Sequence, residues 1–166
     1  MHNVISAVCI KCGAEIEPKP DITVCPHCGG ILDIKYDYKY ISSKVTAKKI
    51  IDSVDYSMWR YREYLPVEED TKNTPLRVGW SPFYEVPKLA EMMGIKKLWI
   101  KDDGINPTAS LKDRASAMAV AKAAEAKADT IACSSTGNAA SSLAGNAAQQ
   151  VLKHIFLFRP GRLREK

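Results

Sequence analysis

The chain has 166 residues, 46% hydrophobic and 26% charged, which suits one ordinary core or a small module plus part of a domain and excludes wholesale disorder or a fibre. The net charge of +5 is mild, and basic residues are mixed with acids apart from the tail Arg159, Arg162, Arg164 and Lys166, which argues against a nucleic-acid stripe. No apolar run has the length to cross a bilayer and residues 1–13 lack a secretory pattern, so a cytoplasmic protein with no membrane contact is expected.

Residues 1–36 carry two close cysteine pairs, Cys9-x2-Cys12 and Cys25-x2-Cys28, twelve residues apart. Each pair can form a knuckle that aims two thiolates at one point. Four soft thiolates at about 2.3 Å satisfy tetrahedral Zn²⁺ and leave no open position for water, so the site would be structural. Gly13 follows the first knuckle and Gly29-Gly30 the second, where positive φ is often needed. In a chain without secretion signals this spacing favours metal over disulfides, with redox-active pairs as the competing chemistry. His27, inside the second knuckle, is expected at the surface, and Ile31–Tyr36 reads as a strand. The first block is thus expected to be a zinc ribbon folded by its metal.

Residues 37–73 are charged and aromatic (Tyr38, Tyr40, then Tyr56 through Tyr64) and read as a connector that packs on the segment C-terminal to it, with one short helix near 44–53. From Thr74 onward, helix and strand signals alternate. Pro87 to Gly94 suggests a short helix with proline in its first turn and glycine as its cap. Leu98-Trp-Ile100 reads as a strand. The alanine-rich stretch from about Lys112 to Ala128 reads as a helix whose narrow face is Ala117, Val120, Ala121, Ala124 and Ala128. Thr130–Cys133 then reads as a buried strand with Cys133 as a small core residue, Ala139–Gln149 as a second small-residue helix, and His154–Phe158 as a strand stopped by Pro160-Gly161. Such alternation predicts an α/β domain with a parallel sheet flanked by helices.

Two turns carry possible chemistry. Asn106-Pro-Thr-Ala-Ser-Leu-Lys112-Asp-Arg114 is a loop entering a helix, with Ser110 as a possible cap. Lys112 would sit in the first helical turn, where the positive helix end disfavours a protonated amine and so favours a nucleophile able to react with an aldehyde. The plain alternative is an exposed surface lysine. Thr136-Gly137-Asn138 lies between a strand and a helix, where backbone N–H groups form an anion site, or simply a capping turn.

The same residues resemble a known family. The segment Asn106 to Ser116 looks like the lysine motif of threonine synthases, in the tryptophan-synthase-β-like group of pyridoxal-phosphate (PLP) enzymes, and Ser134-Ser-Thr-Gly-Asn-Ala-Ala140 resembles that group's asparagine loop. Met58-Trp-Arg-Tyr-Arg-Glu63, Gly79-Trp-Ser-Pro82 and Leu98-Trp-Ile-Lys-Asp-Asp-Gly104 recur in threonine synthases in that order, and part of that family carries an N-terminal zinc ribbon. Leu111 stands where phenylalanine is common.

The resemblance implies fold-type-II architecture, with residues 1–36 a zinc ribbon, 37–73 a connector and 74–166 the N-terminal α/β lobe. It implies that Lys112 holds PLP as a Schiff base and moves the substrate's protons. Asn138 would hydrogen-bond the ring hydroxyl, while Ser135, Thr136 and the backbone of Gly137 would hold an amino-acid carboxylate. Cys9, Cys12, Cys25 and Cys28 would hold structural zinc. The implied reaction converts O-phospho-L-homoserine and water to L-threonine and phosphate. Lys101 and Arg114 can touch phosphate or pair with Asp102, Asp103 or Asp113. The family's second lobe, with its glycine-rich phosphate cup, is missing, so an incomplete enzyme is expected, joined by a complementary C-terminal lobe or forming a homo-oligomer. The alternatives are another PLP enzyme, such as a cysteate synthase or threonine dehydratase, and a non-catalytic zinc-ribbon binding module.

Overall fold

Strand β1 (Val4–Cys9) runs between β2 (Glu15–Ile16) and β3 (Leu32–Tyr36) in an antiparallel sheet, with Ala7 opposite Ile16 on one side and Ile34 on the other. The structure is a computed structural model that describes residues 1–19 and 22–150, and the backbone of 153–156. Its first sheet has few buried apolar side chains: Ala7 and Cys9 on the strands, joined by Cys25 from the second knuckle. A sheet this small does not stabilise itself by burial, so an added staple is required at the cysteine end.

The connector contains two helices where one was expected. Helix α1 (Tyr38–Lys44) starts at Asp37, whose carboxylate accepts the Tyr40 N–H at 2.9 Å. Helix α2 (Ala47–Ile51) starts at Thr46, whose hydroxyl accepts the Lys49 N–H at 3.1 Å. The extended backbone of Val45 and Thr46 separates them. Next comes a 3-10 turn over Met58–Tyr64, capped by Ser57. It buries Met58 and Trp59 in one cluster with Val67, Val78, Ala117 and Ala121. The connector therefore packs on the later helix. The Asn3 side chain fastens β1 to this turn by donating to the carbonyls of Glu63 (3.0 Å) and Leu65 (2.7 Å).

Beyond residue 74, β4 (Phe83–Glu85) leads to α3 (Pro87–Met92) and β5 (Trp99–Lys101), and α3 begins on Pro87 and ends at Gly94 (φ 67°). β4 and β5 pair antiparallel, with Tyr84 opposite Ile100. Helix α4 (Lys112–Glu125), β6 (Thr130–Cys133), α5 (Asn138–Gln149) and β7 (Lys153–Phe156) complete the described chain. β6 and β7 are parallel, with α5 as the crossover. Among the described residues, parallel pairing is confined to those two strands.

The small faces of α4 and α5 let the helices approach, and Val120, Leu143 and Ala147 form a core cluster backed by Ile131 and Cys133. Each of the larger side chains buried there contributes roughly 1.5–3 kcal/mol. Ala124, expected on that face, is exposed, and Ala128 lies beyond the helix end. β6 is half-buried rather than buried, because its Ala132 side is uncovered. The strand end at Leu157-Phe158, the stop at Pro160-Gly161 and the basic tail lie outside the described residues. Among the described residues, no helix is long and apolar enough to cross a membrane.

Candidate active site and metal centre

The four paired cysteines converge. The Sγ atoms of Cys9, Cys12, Cys25 and Cys28 all lie within 4.8 Å of one another. Cys9 and Cys28 sulfurs are 3.5 Å apart and those of Cys12 and Cys25 3.7 Å. Zn–S bonds of about 2.3 Å put tetrahedral sulfurs about 3.8 Å apart. The donor set and its spacing therefore fit a zinc ion.

Each knuckle closes on itself, with the Gly13 N–H bonded to the Cys9 carbonyl (2.9 Å) and the Gly29 N–H to the Cys25 carbonyl (2.8 Å). Gly13 and Gly29 sit at φ 73° and 66°, the left-handed conformation that an L side chain would strain. The hydrogen bond from the backbone of Cys12, against some desolvation, lowers the Cys9 thiol to about 6. Cys28 receives a favourable backbone bond at Gly30, yet the neighbouring Cys12 and Cys9 thiols push it up to about 12. A bound cation favours the thiolate form of all four ligands. His27 is exposed and outside the cluster, as expected.

The lysine loop is held from behind. Lys112 is the first residue of α4 and exposed, and its amine has no hydrogen-bond partner among the described residues. Ser110 does help to start the helix: its hydroxyl accepts the Lys112 N–H at 3.1 Å. Asp113, the next residue, points inward and is fully buried. One of its carboxylate oxygens accepts the Thr108 N–H at 2.7 Å. The other accepts the Thr108 hydroxyl (2.7 Å), the Ser142 hydroxyl (2.6 Å) and the Asn146 amide (3.2 Å).

Arg114 grips Asp103 in a two-point bond, Nε to Oδ2 at 3.0 Å and Nη2 to Oδ1 at 2.8 Å. The Arg114 guanidinium holds the Asp103 carboxyl well below the usual carboxylate range, with Ser81 assisting. Lys101 donates to the Ser81 carbonyl at 2.5 Å. Of the pairings open to Arg114, the structure selects Asp103.

The asparagine turn opens α5. Ser135 is half-buried, whereas Thr136, Gly137 and Asn138 are exposed. The Ser135 hydroxyl accepts the Gly137 N–H at 3.2 Å, and the Asn138 side chain has no partner among the described residues. Asp113 bonds Ser142 and Asn146, and Thr108 lies against Gly145, so the start of α4 packs on the middle of α5, one to two turns after Asn138. The structure thus places Lys112 and the 135–138 turn at the N-terminal ends of two helices that pack on each other, and leaves the cysteine cluster as a separate centre beside the first sheet. The chemistry of these groups, an exposed amine without a partner among the described residues on one helix and hydroxyl and side-chain amide groups at the start of the next, suits an aldehyde-bearing phosphate ester.

Sequence reasoning passed over Ser142 and Asn146 and took Asp113 only for a possible ion-pair partner. The signal was faint: two polar residues four apart on the buried face of an otherwise small-residue helix.

The other shared motifs also meet here. The Gly79 N–H donates to the Asn106 side chain at 2.9 Å, Met58 N–H to the Val78 carbonyl at 2.7 Å, and the Arg60 guanidinium lies 4.2 Å from the centre of the Trp80 ring.

An α/β unit whose first helix opens on a lysine and whose next helix opens on a Thr-Gly-Asn turn defines the class, and the chain belongs to the pyridoxal-phosphate dependent enzyme family, whose pattern residues 74–161 match. Among curated proteins it is similar to a threonine synthase of Methanocaldococcus jannaschii, 40% identical over 155 residues, covering 93% of this chain and 38% of the relative. A threonine synthase of Methanosarcina acetivorans is 39% identical over 155 residues, 93% of this chain and 37% of that protein. One from Halalkalibacterium halodurans is 39% identical over 112 residues, 64% of this chain and 31% of that protein. The chain thus spans well under half the length of these relatives.

Proposed function

We propose that this chain is the zinc-bearing, lysine-bearing portion of a threonine synthase-type enzyme, acting on O-phospho-L-homoserine and water to give L-threonine and phosphate. The observation that carries the reading is the pair of packed helices, one opening on Lys112, whose amine has no partner among the described residues, and the other on Asn138, inside a family match. Similarity to threonine synthases along 93% of the chain supports the substrate. In this reading residues 1–36 form a module folded by zinc on Cys9, Cys12, Cys25 and Cys28, 37–73 the connector, and the rest the first catalytic lobe. The lobe works together with a segment equivalent to the remaining length of the relatives.

Lys112 would hold the cofactor through its side-chain nitrogen, and the same amine would carry protons to and from the substrate carbons. Asn138 orients the cofactor ring by a hydrogen bond to its hydroxyl. Ser135 and Thr136 offer hydroxyls, and Gly137 a backbone N–H, to the substrate carboxylate; the Ser135–Gly137 bond opens to free both groups. The N-terminal end of α5 adds its positive dipole to that anion site. Bound there, pyridoxal phosphate supplies the electron sink for carbanions at the substrate. Lys112 has the exposure to swing between those positions.

The test is borohydride trapping of the chain with pyridoxal phosphate, followed by peptide mapping. A dominant adduct at Lys112, lost in Lys112→Ala, is the expected result, and phosphate release from phosphohomoserine is then assayed with the complementary segment added. Trapping spread evenly over surface lysines refutes the assignment.

A further inference from the structure

The contacts behind the lysine loop are more elaborate than packing requires. Asp113, Ser142 and Asn146 are fully buried polar side chains, with 0% exposure each, at the joint between α4 and α5. Ser142 gives its one proton to Asp113, so the Ser116 hydroxyl 2.8 Å away donates to Ser142 in turn. Burying such groups costs desolvation that an apolar joint of the same volume would avoid, and Asn146 Oδ1 finds no partner among the described residues; the bonds that are made fix one geometry of the joint.

The face of α5 is cut to the loop as well. A Cβ on Gly145 would lie 2.8 Å from the Thr108 methyl carbon, so only glycine allows this approach. Both Thr108 bonds to Asp113 close residues 108–113 into one rigid turn, and successive helix positions point Asp113 inward while Lys112 points out.

The geometry points to Asp113 as a positioning residue: it locks the Lys112 loop onto the Asn138 helix through Ser142 and Asn146, and so sets the distance between the two groups that grip the cofactor. This inference rests on the proposed roles of Lys112 and Asn138. It predicts an effect on Lys112 reactivity beyond any loss of stability.

The experiment compares full-length Asp113→Ala, the milder Ser142→Ala, and Val120→Ala as a control that loosens the same helix pair away from the loop. Three quantities are read for each: the unfolding midpoint, the amide-exchange protection of Thr108, and the pyridoxal-phosphate adduct trapped at Lys112 relative to the exposed Lys96. Asp113→Ala is expected to cut relative trapping about tenfold or more and to expose the Thr108 amide. Ser142→Ala, with the fold kept, should cut trapping about threefold. Val120→Ala should lower the midpoint and leave trapping and Thr108 protection unchanged.

Parent-like trapping in the first two variants, or an equal loss in Val120→Ala, overturns the proposal. If Asp113→Ala does not fold, the comparison of Ser142→Ala with Val120→Ala decides. If the parent itself forms no adduct at Lys112, the cofactor reading fails, and exchange decides the rest. Thr108 protection reduced by Ser142→Ala alone then supports the lock, and protection kept in both variants refutes it.

Discussion

Ala109 sits at φ 56°, in the loop that leads into Lys112. An alanine held in the left-handed region costs on the order of 1 kcal/mol, which the Thr108 and Asn106 bonds on either side must offset. Ala109→Gly is therefore expected to raise stability by about 0.5–1 kcal/mol, read as a higher urea midpoint at constant m-value. A lower midpoint would show that the loop is not strained. Asp103 makes a prediction of opposite character. Its carboxyl is held down by Arg114, so its contribution is fully present above the ordinary carboxylate range and is lost as the pH falls through that range toward the folded value. With Arg114 36% exposed the pair is partly screened, and about 1 kcal/mol is the scale. Asp103→Asn should flatten the acid limb of a stability-against-pH curve below about pH 4 and change little above pH 7 except for a constant offset. An acid limb as steep as the parent's would assign the loss to other carboxylates.

Among the elements, the ribbon hangs most directly on chemistry. Its sheet buries little, so the four sulfurs must supply what a core would. Cys12→Ser should abolish stoichiometric zinc and unfold residues 1–36, while the helical circular dichroism of α4 and α5 persists. Bound zinc unchanged in the variant would refute the centre. The elements readable in the sequence are those with dense local signals: the knuckles with their glycines, the Pro87–Gly94 helix, and the alanine-rich α4 and α5. Helix α1 escaped because Ile41 is its only buried residue and leaves no periodicity to detect. The antiparallel β4–β5 pair escaped because β4 is three exposed residues whose partner lies beyond an intervening helix. At the candidate site, the proposal of Lys112 and Asn138 comes from motif and turn chemistry. The proposed role of Asp113 was not legible there, since its partners on α5 stand 29 and 33 residues away in sequence and are small.

For the molecule as a whole, the surface is unevenly finished. Phe83, Met92, Met93 and Ile100 are exposed by 64%, 76%, 60% and 45% on the neighbouring elements β4, α3 and β5. By register Phe83 and Ile100 lie on opposite faces of the β4–β5 pair, so both faces expose apolar side chains, which marks contact surfaces or an association hazard. The isolated chain is expected to self-associate with rising concentration in sedimentation velocity and to bind a hydrophobic dye; a clean monomer without dye binding would argue that no further lobe is needed. Asn3 has a consequence of another kind. Its side chain waits for the carbonyls of Glu63 and Leu65, some sixty residues downstream, while the ribbon's pairings all close within the first 36 residues. During synthesis the ribbon can therefore take up its metal and fold as soon as it leaves the ribosome, well before the lysine loop has been made. Growth under zinc scarcity would then act at the level of nascent-chain fate, leaving an unfolded leader on every translating copy.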